Sequence, residues 1–245
     1  MDISDDDLNG VAVEIGRLAG ASTADLIGIA PGGAFSADEL GELGERFGPV
    51  RSVVVLAQHI VDPMQVVRFH AAGDYDASHV AASFADAMLR DACWRVVGIL
   101  SDAGYRAAIP RNLRYGVDEP RHSMSYKKAG ELAGLGVFGK SQLLIHPEWG
   151  PWMRLRAVVT DASLLPDGRI EFSPCEDCGA CIAACPSGAL SERGFDRAAC
   201  EAFYETVGRG ARRISPHGQI NCDECMRACP VGPAPPRLGE AAQRR

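Results

Sequence analysis

The sequence lacks a hydrophobic run long enough for a membrane helix, which needs about 20 consecutive apolar residues. It also lacks the basic and then apolar start of a secretion signal, because its first seven residues, Met-Asp-Ile-Ser-Asp-Asp-Asp, are acidic. Positive charge is scarce: 25 Lys and Arg stand against 32 Asp and Glu, a formal net charge of −7. Nucleic-acid binding relies on Lys and Arg clustered at phosphates. These absences predict a cytoplasmic protein with no membrane segment and no nucleic-acid partner.

Histidine pairs at metal-binding spacing are absent as well. The chain has six histidines, and none of them forms the H-x3-H pattern that binds zinc. Cysteine is abundant instead, with nine in 245 residues. In a reducing compartment, closely spaced cysteines indicate metal or cluster binding rather than disulfides. Metal chemistry in this chain is therefore expected at cysteine.

Eight of the cysteines fall in one stretch near the C-terminus. The first group has the spacing C-x2-C-x2-C-x3-C-P, a lone cysteine follows, and the last group reads C-x2-C-x3-C-P. The first spacing is typical of two-cluster ferredoxins, in which the fourth cysteine binds the other cluster. We therefore expect two 4Fe-4S clusters. One would take Cys175, Cys178, Cys181 and Cys229, and the other Cys185, Cys200, Cys222 and Cys225.

Two other kinds of cysteine site compete with the clusters as explanations. Zinc sites use C-x2-C pairs, but zinc does not explain the three-way C-x2-C-x2-C run or the two C-P endings. A disulfide framework suits a small secreted domain, which this chain is not. Cys93 lies apart from the stretch, in the middle of a helical pattern, and is predicted to be a buried and inert thiol.

Hydrophobic periodicity predicts strands alternating with helices before the cysteine stretch. This order indicates an α/β (α+β) domain over residues 1–165, followed by a ferredoxin-like module over 166–235 and a tail over 236–245. Tryptophans 149 and 152 are expected to serve in core or turn packing. The predicted helices span 4–20, 76–103 and 123–133, and the predicted strands span 24–30, 52–57, 105–109, 142–145 and 155–160.

A glycine-rich motif follows the third predicted helix. It satisfies both the G-x-G-x-x-G pattern and the phosphate-loop pattern G-x-x-x-x-G-K-S. Both patterns need a strand before the glycines and a helix after them, whereas here a helix precedes and a strand follows. This context favours a helix end and a tight turn over a nucleotide site. The motif still supplies the candidate cofactor-binding residues Gly134, Gly136, Gly139, Lys140 and Ser141.

The same motif belongs to a longer stretch that resembles a known family. The run from Ser125 to Ile145 resembles the A-G-L-G-W-I-G-K-N/S-x-L-L-I signature of the epoxyqueuosine reductases, and Arg68 to Tyr75 resembles their R-Y-A-x-G-x-D-Y segment. The order of this signature, a strand pair, and the three cysteine elements is similar too. The combination of Ser-x-Lys-Lys with Pro-Glu-x-Gly-Pro resembles short iron–sulfur relatives of that enzyme still more closely. Reductive dehalogenases share the arrangement at a greater distance.

The resemblance implies a fold and an activity. It implies a nitroreductase-like or corrinoid-reductase-like α/β domain that holds cobalamin, with two 4Fe-4S clusters that feed electrons to it. It also implies a small-molecule substrate or corrinoid as partner, and an electron donor such as a ferredoxin or flavodoxin. The C-terminal helical repeats of the tRNA enzyme have no counterpart in the sequence, so we do not expect tRNA as the substrate.

Candidate proton donors lie in and beside the polar stretch 111–122. The family's general-acid aspartate lies in V-D-[ST]-x-P, and the nearest match here is Val-Asp-Glu-Pro, which lacks the Ser or Thr and is one residue short. The candidates are Asp118, His122, Tyr126 and Lys127. Burial would raise the pKa of the aspartate and lower that of the lysine, which makes such groups useful near neutral pH.

The sequence thus favours an iron–sulfur reductase. Two alternatives remain open at this point: a ferredoxin-like electron-transfer adaptor without its own catalysis, and an accessory protein that handles a nucleotide or corrinoid. The long α/β domain favours the reductase, because electron transfer alone needs little more than the cluster module.

Overall fold

The computed structural model describes residues 5–18, 24–40, 42–60, 75–110, 124–203 and 224–232. The helices are α1 (Asp5–Arg17), α2 (Ala37–Leu40), α3 (Glu42–Phe47), α4 (Tyr75–Asp102), α5 (Tyr126–Leu132), α6 (Ala180–Ala183) and α7 (Glu224–Arg227). The strands are β1 (Leu26–Pro31), β2 (Ser52–His59), β3 (Ala107–Ala108), β4 (Val137–Phe138), β5 (Leu144–Ile145), β6 (Met153–Thr160), β7 (Leu190–Ser191) and β8 (Gly194–Phe195). Several predicted features lie outside the described residues, namely the segment 61–74, Asp118, His122, Cys222 and the tail 236–245.

The chain divides into two compact units, each built from separate stretches of sequence. The sheet unit comprises Met1–His59, Ala85–Phe138 and Arg154–Phe172. The cysteine unit comprises Ile60–Phe84, Gly139–Met153 and Ser173–Arg245. Within the described ranges, no helix has the length and apolar character to cross a membrane.

A four-stranded sheet with the order β1-β2-β6-β3 forms the centre of the sheet unit. β1 and β2 are antiparallel, with Leu26 opposite Ala57 and Pro31 opposite Ser52, and β3 is antiparallel to β6. The predicted strand over 52–57 is confirmed within β2, where every residue from Ser52 to Gln58 is buried. A run that is apolar at successive positions forms such a strand because helices cover both of its faces.

Side-chain alternation along the strands separates the two covered faces. On one face, Val54, Leu56 and Val158 pack with buried residues of the two longer helices, which include Ile15 of α1 and Leu89 of α4. On the other face, a side chain at Gly28 would overlap the backbone of Ala133 at the end of α5. Glycine in β1 therefore allows α5 to approach the sheet closely. The result is a sheet with a helical layer on each side.

The segment after β6 remains with the sheet unit as far as Phe172. The carboxylate of Asp167 accepts a hydrogen bond of 2.7 Å from the Ile29 amide, and the Asp167 amide donates to the Ile29 carbonyl at 3.1 Å. Residues 166–172 therefore pack with the sheet unit. A composition shift marks where the sequence becomes irregular, but it does not show which unit an irregular segment packs against.

Two predicted strands are shorter in the structure than in the sequence pattern. The strand predicted over 105–109 is reduced to β3, and the strand predicted over 142–145 is reduced to β5. The second difference has a local cause. Gln142 has a φ of 62°, and its amide donates to the Gly139 carbonyl at 2.9 Å. The start of the predicted strand is therefore a tight turn.

The cysteine unit is built from short elements around a small apolar contact. Ile60 and Trp152 are buried and pack with Met226 of α7, and Trp152 is only 1% exposed. The prediction of core packing is thus confirmed for Trp152. Trp149 stacks on the ring of His146 with 4.3 Å between the ring centroids. The strands β7 and β8 form an antiparallel hairpin, and α6 packs on α7.

Candidate metal centre

Four cysteines from two distant parts of the sequence surround one cavity in the cysteine unit. The cavity measures about 320 Å³, including its opening to solvent. Its lining is otherwise formed by small and apolar groups. The residues that line it are Ser141, Ile145, Pro174, Cys175, Cys178, Cys181, Cys229, Pro230 and Val231.

Local backbone geometry places each of these cysteines. Cys175 and Cys178 lie in a turn, in which the Cys178 amide donates to the Cys175 carbonyl at 3.3 Å. Cys181 lies in α6 and is buried. Cys229 follows α7, and its amide donates to the Met226 carbonyl at 3.2 Å. Because α6 packs on α7, the packing of these two helices brings Cys229 to the other three.

The four thiols would repel one another if all of them ionised without a cation. Burial raises the pKa of Cys181, and the charges of Cys175 and Cys178 raise it further. Burial also raises the pKa of Cys229; a hydrogen bond from the Val231 amide opposes this rise, and the charges of the other three thiolates add to it. A bound cation reverses this balance, because metal-bound thiols are deprotonated. The cavity therefore suits a cationic metal group.

A tight turn closes the cavity beside Cys175. The Gly139 amide donates to the Leu143 carbonyl at 2.9 Å. A side chain at Gly139 would lie 2.8 Å from Ile145 and 3.5 Å from the Cys175 sulfur. Glycine is thus required here because the turn approaches Ile145 and Cys175 closely. Ser141 of the same turn is buried and faces the cavity.

Lys140 links this turn by a hydrogen bond to the segment between Cys175 and Cys178. Its amine donates to the Glu176 carbonyl at 3.3 Å and forms an ion pair of 3.2 Å with Glu192. The helix α5 precedes the glycines and the strand β5 follows them, which is the reverse of a phosphate loop. Among the candidate cofactor-binding residues, Gly139, Lys140 and Ser141 lie in the cysteine unit, whereas Gly134 and Gly136 lie in the sheet unit.

A second set of cysteines is only partly described. Cys185 and Cys200 lie close enough for the charge of Cys185 to raise the pKa of Cys200, although burial is the larger cause. Burial also raises the pKa of Cys185, but hydrogen bonds from the Ser187 hydroxyl and from the amides of Leu190, Ser187 and Ala189 together bring it below its ordinary value. Such donors stabilise a thiolate and tune a cluster bound to it. Cys225 lies in α7.

Two of the four candidate proton donors, Tyr126 and Lys127, lie within the described residues. Tyr126 is buried, and its hydroxyl donates to the Pro110 carbonyl. Burial raises the pKa of Tyr126 to about 12, so this phenol remains protonated near neutral pH. The Lys127 amine lies 5.6 Å from the centre of the Phe138 ring, a distance that permits a cation–π contact.

Within the described ranges, no three His, Cys, Asp or Glu side chains form a group that could hold a single metal ion. The four cysteines instead surround a cavity. A 4Fe-4S cluster needs such an arrangement, because its irons and sulfides occupy the space between the thiolates.

Cys93 is the one cysteine that lies outside the C-terminal cysteine stretch, and it is expected to resist alkylation in the folded protein. It is fully buried in α4, and burial raises its pKa to about 12. The thiolate is the reactive form of cysteine, so iodoacetamide at pH 8 should leave Cys93 unmodified, as measured by peptide mass spectrometry. The same treatment in denaturant should modify it fully. Rapid labelling of Cys93 in the folded protein would contradict its burial in α4.

Comparison with known proteins identifies the first group of cysteines as part of an iron–sulfur binding domain. A family model described as a 4Fe-4S binding domain matches residues 169–191. The epoxyqueuosine reductase of Synechococcus sp. (strain RCC307) is 38% identical over 107 residues, which covers 42% of this chain and 33% of that protein. The epoxyqueuosine reductase of Bacillus anthracis is 34% identical over 113 residues. The chain thus spans about a third of the length of the curated relatives that it matches.

Solved structures share the fold over most of the chain. A crystal structure of epoxyqueuosine reductase with an epoxyqueuosine-modified tRNA stem loop covers 91% of this chain, with a TM-score of 0.58 and 19% identity. A catabolic reductive dehalogenase in complex with 3-bromo-4-hydroxybenzoic acid covers 88% of this chain, with a TM-score of 0.63 and 21% identity. This chain covers 65% of the first structure and 30% of the second. The predicted resemblance to the epoxyqueuosine reductases is confirmed.

Proposed function

We propose that this chain is an iron–sulfur oxidoreductase that passes electrons through two 4Fe-4S clusters to an acceptor bound by the sheet unit. The cavity lined by four cysteines is the observation that carries the proposal. The match to a 4Fe-4S binding domain and the similarity to reductases support it. A central sheet covered by helices on both faces supplies more structure than an electron carrier needs.

The proposed cluster ligands are those that the spacing of the cysteines predicts. Cys175, Cys178, Cys181 and Cys229 would hold the first cluster. Cys185 and Cys200 would share the second with Cys222 and Cys225. A 4Fe-4S cluster supplies one-electron transfer at a potential that burial and hydrogen bonds to sulfur determine. Because the Val231 amide donates to Cys229, the backbone would help to tune a cluster bound at the first site.

Two acceptors are compatible with this proposal, a cobalamin and a small-molecule substrate reduced directly. The related solved structures include reductive dehalogenases, one of which concerns a mechanism of B12-dependent dehalogenation. A ferredoxin or flavodoxin would be a suitable electron donor, because either protein delivers single electrons at low potential. Reduction also needs a proton donor, for which Asp118, His122, Tyr126 and Lys127 remain the candidates.

An anaerobic titration with cobalamin tests the proposal. The iron content and the visible spectrum of the reconstituted protein would be followed together. We expect about eight irons per chain, the number that two 4Fe-4S clusters contain. A spectral change that saturates at one cobalamin per chain would identify the corrinoid as the acceptor.

The other outcomes are equally informative. Eight irons without a spectral change would assign the acceptor role to a substrate and remove cobalamin from the proposal. About four irons would limit the chain to one cluster. Zinc in place of iron, in protein assembled anaerobically with both metals supplied, would overturn the proposal.

A further inference from the structure

A buried serine lies at the tip of the turn that borders the cavity lined by cysteines. The Gln142 amide donates to the Gly139 carbonyl at 2.9 Å, so Lys140 and Ser141 are the two central residues of a four-residue turn. Residues of connecting turns normally lie at the protein surface, whereas Ser141 is only 9% exposed. The burial of this turn therefore has a cause beyond the reversal of the chain.

Three features of the turn hold Ser141 beside the cysteines. Gly139 has no side chain, and one there would lie 3.5 Å from the sulfur of Cys175. The Lys140 amine donates to the carbonyl of the residue that follows Cys175, at 3.3 Å. Gln142 has a φ of 62°, and it is the one non-glycine residue with a positive φ in the part of the chain that the structure describes. Residues in such unfavourable conformations are found preferentially at functional sites.

The hydroxyl of Ser141 makes no hydrogen bond to another described residue. Ser141 lines the cavity, and the lining otherwise consists of the four cysteines and of the apolar residues Ile145, Pro174, Pro230 and Val231. A hydroxyl group that is buried without a partner is unfavourable. Alanine would fill the same position in the turn without this cost. A partner for the hydroxyl is therefore expected in the cavity itself.

We propose that the Ser141 hydroxyl donates a hydrogen bond to a sulfur of the iron–sulfur cluster at the first site, and that this bond raises the reduction potential of the cluster. Hydrogen bonds to the sulfurs stabilise the reduced state, which carries more negative charge. The cysteines would bind the irons, whereas Ser141 would help to set the potential at which an electron is accepted. The inference rests on the proposed function, because it requires a cluster in the cavity. The motif that resembles a phosphate loop would thus serve this cluster.

A redox titration of protein that holds only the first cluster tests this role without any assay of turnover. Cys200→Ala supplies the background, because Cys200 is a proposed ligand of the second cluster alone. Electron paramagnetic resonance measures the reduced cluster at fixed potentials. At the midpoint potential of the background protein, Ser141→Ala should lower the ratio of reduced to oxidised cluster by roughly three- to tenfold. A tenfold change corresponds to a midpoint about 59 mV lower for a one-electron couple.

Three further variants separate the hydrogen bond from other effects of substitution. Ser141→Gly also lacks the hydroxyl and should lower the ratio as Ser141→Ala does. Ser141→Thr retains a hydroxyl and should keep the ratio within about twofold of the background. Ser191→Ala removes a hydroxyl that donates to the Gly194 carbonyl at 3.1 Å in the β7–β8 hairpin and that lines no part of the cavity. This last variant should leave the ratio unchanged.

Two results would overturn the role of Ser141. One is an unchanged ratio in both Ser141→Ala and Ser141→Gly. The other is an equal fall of the ratio in Ser141→Thr, because it would show that the shape of the side chain, rather than its hydroxyl, affects the potential. The iron content distinguishes these failures from a failure of the proposed function. About four irons with an unchanged ratio would leave the iron–sulfur proposal standing, whereas a wild type that binds no cluster would overturn both proposals.

Discussion

Replacement of Cys229 by alanine is expected to lower the iron content of the anaerobically reconstituted protein from about eight to about four atoms per chain. Cys229 is the ligand that the C-terminal segment would supply to the cavity lined by cysteines. Without it, three thiolates remain, and the cluster loses one quarter of its protein bonds. Iron analysis combined with electron paramagnetic resonance of the reduced protein measures the loss directly.

Two variants control this experiment. Cys93→Ala removes a buried cysteine that lines no part of the cavity, and it should retain all eight irons. Cys200→Ala should also lose half of the iron, but from the second cluster, so the remaining paramagnetic signal should differ from that of Cys229→Ala. Full iron content in Cys229→Ala would remove this cysteine from the ligand set. Identical residual signals in the two variants would refute the division into two groups of four.

Replacement of Gly150 by alanine is expected to destabilise the folded protein strongly, although it adds only one methyl group. Gly150 has a φ of 58°, and a methyl group there would overlap the carbonyl of Val231. Gly232 faces the same contact, since a side chain on it would lie 2.6 Å from the Trp149 carbonyl. The strained φ costs about 1–2 kcal/mol and the overlap adds roughly 1–3 kcal/mol. A fall in the unfolding midpoint measured anaerobically checks the sum.

Gly168→Ala separates these two contributions to the cost. Gly168 has a φ of 82°, and a methyl group there would meet no atom within 4 Å. This variant should carry the backbone cost alone. Because Val231 follows the Cys229-Pro230 pair directly, Gly150→Ala should in addition release iron from the first cluster faster than the wild type during exposure to a chelator. Equal unfolding midpoints for Gly150→Ala and Gly168→Ala would argue against the close contact between Gly150 and Val231.

The local features of this fold could be predicted from sequence because short-range physics determines them. The helix α4 was predicted within one residue at each end, since its apolar stripe is continuous and Gly104, with a φ of 86°, ends it. The glycine motif was placed between a helix and a strand for the same reason. The spacing of the cysteines likewise indicated which of them could be neighbours.

Features that depend on contacts between distant segments were not predicted. The interlocking of Gly150 with Gly232 joins positions about eighty residues apart, and each glycine alone resembles an ordinary turn residue. The assignment of 166–172 to the sheet unit depends in the same way on a contact with Ile29.

The cysteines that line the cavity are far apart in the sequence, so a ribosome synthesises them at different times. Cys175, Cys178 and Cys181 emerge first, and Cys229 emerges roughly fifty residues later, at synthesis rates of about 5–20 residues per second. A cluster bound by all four thiolates can therefore form only after several seconds of further synthesis. Such a cluster would close this long loop as a cross-link does, and the free energy of cluster binding would become free energy of folding. Loss of the cluster, by oxidation or chelation, would then release the C-terminal segment first.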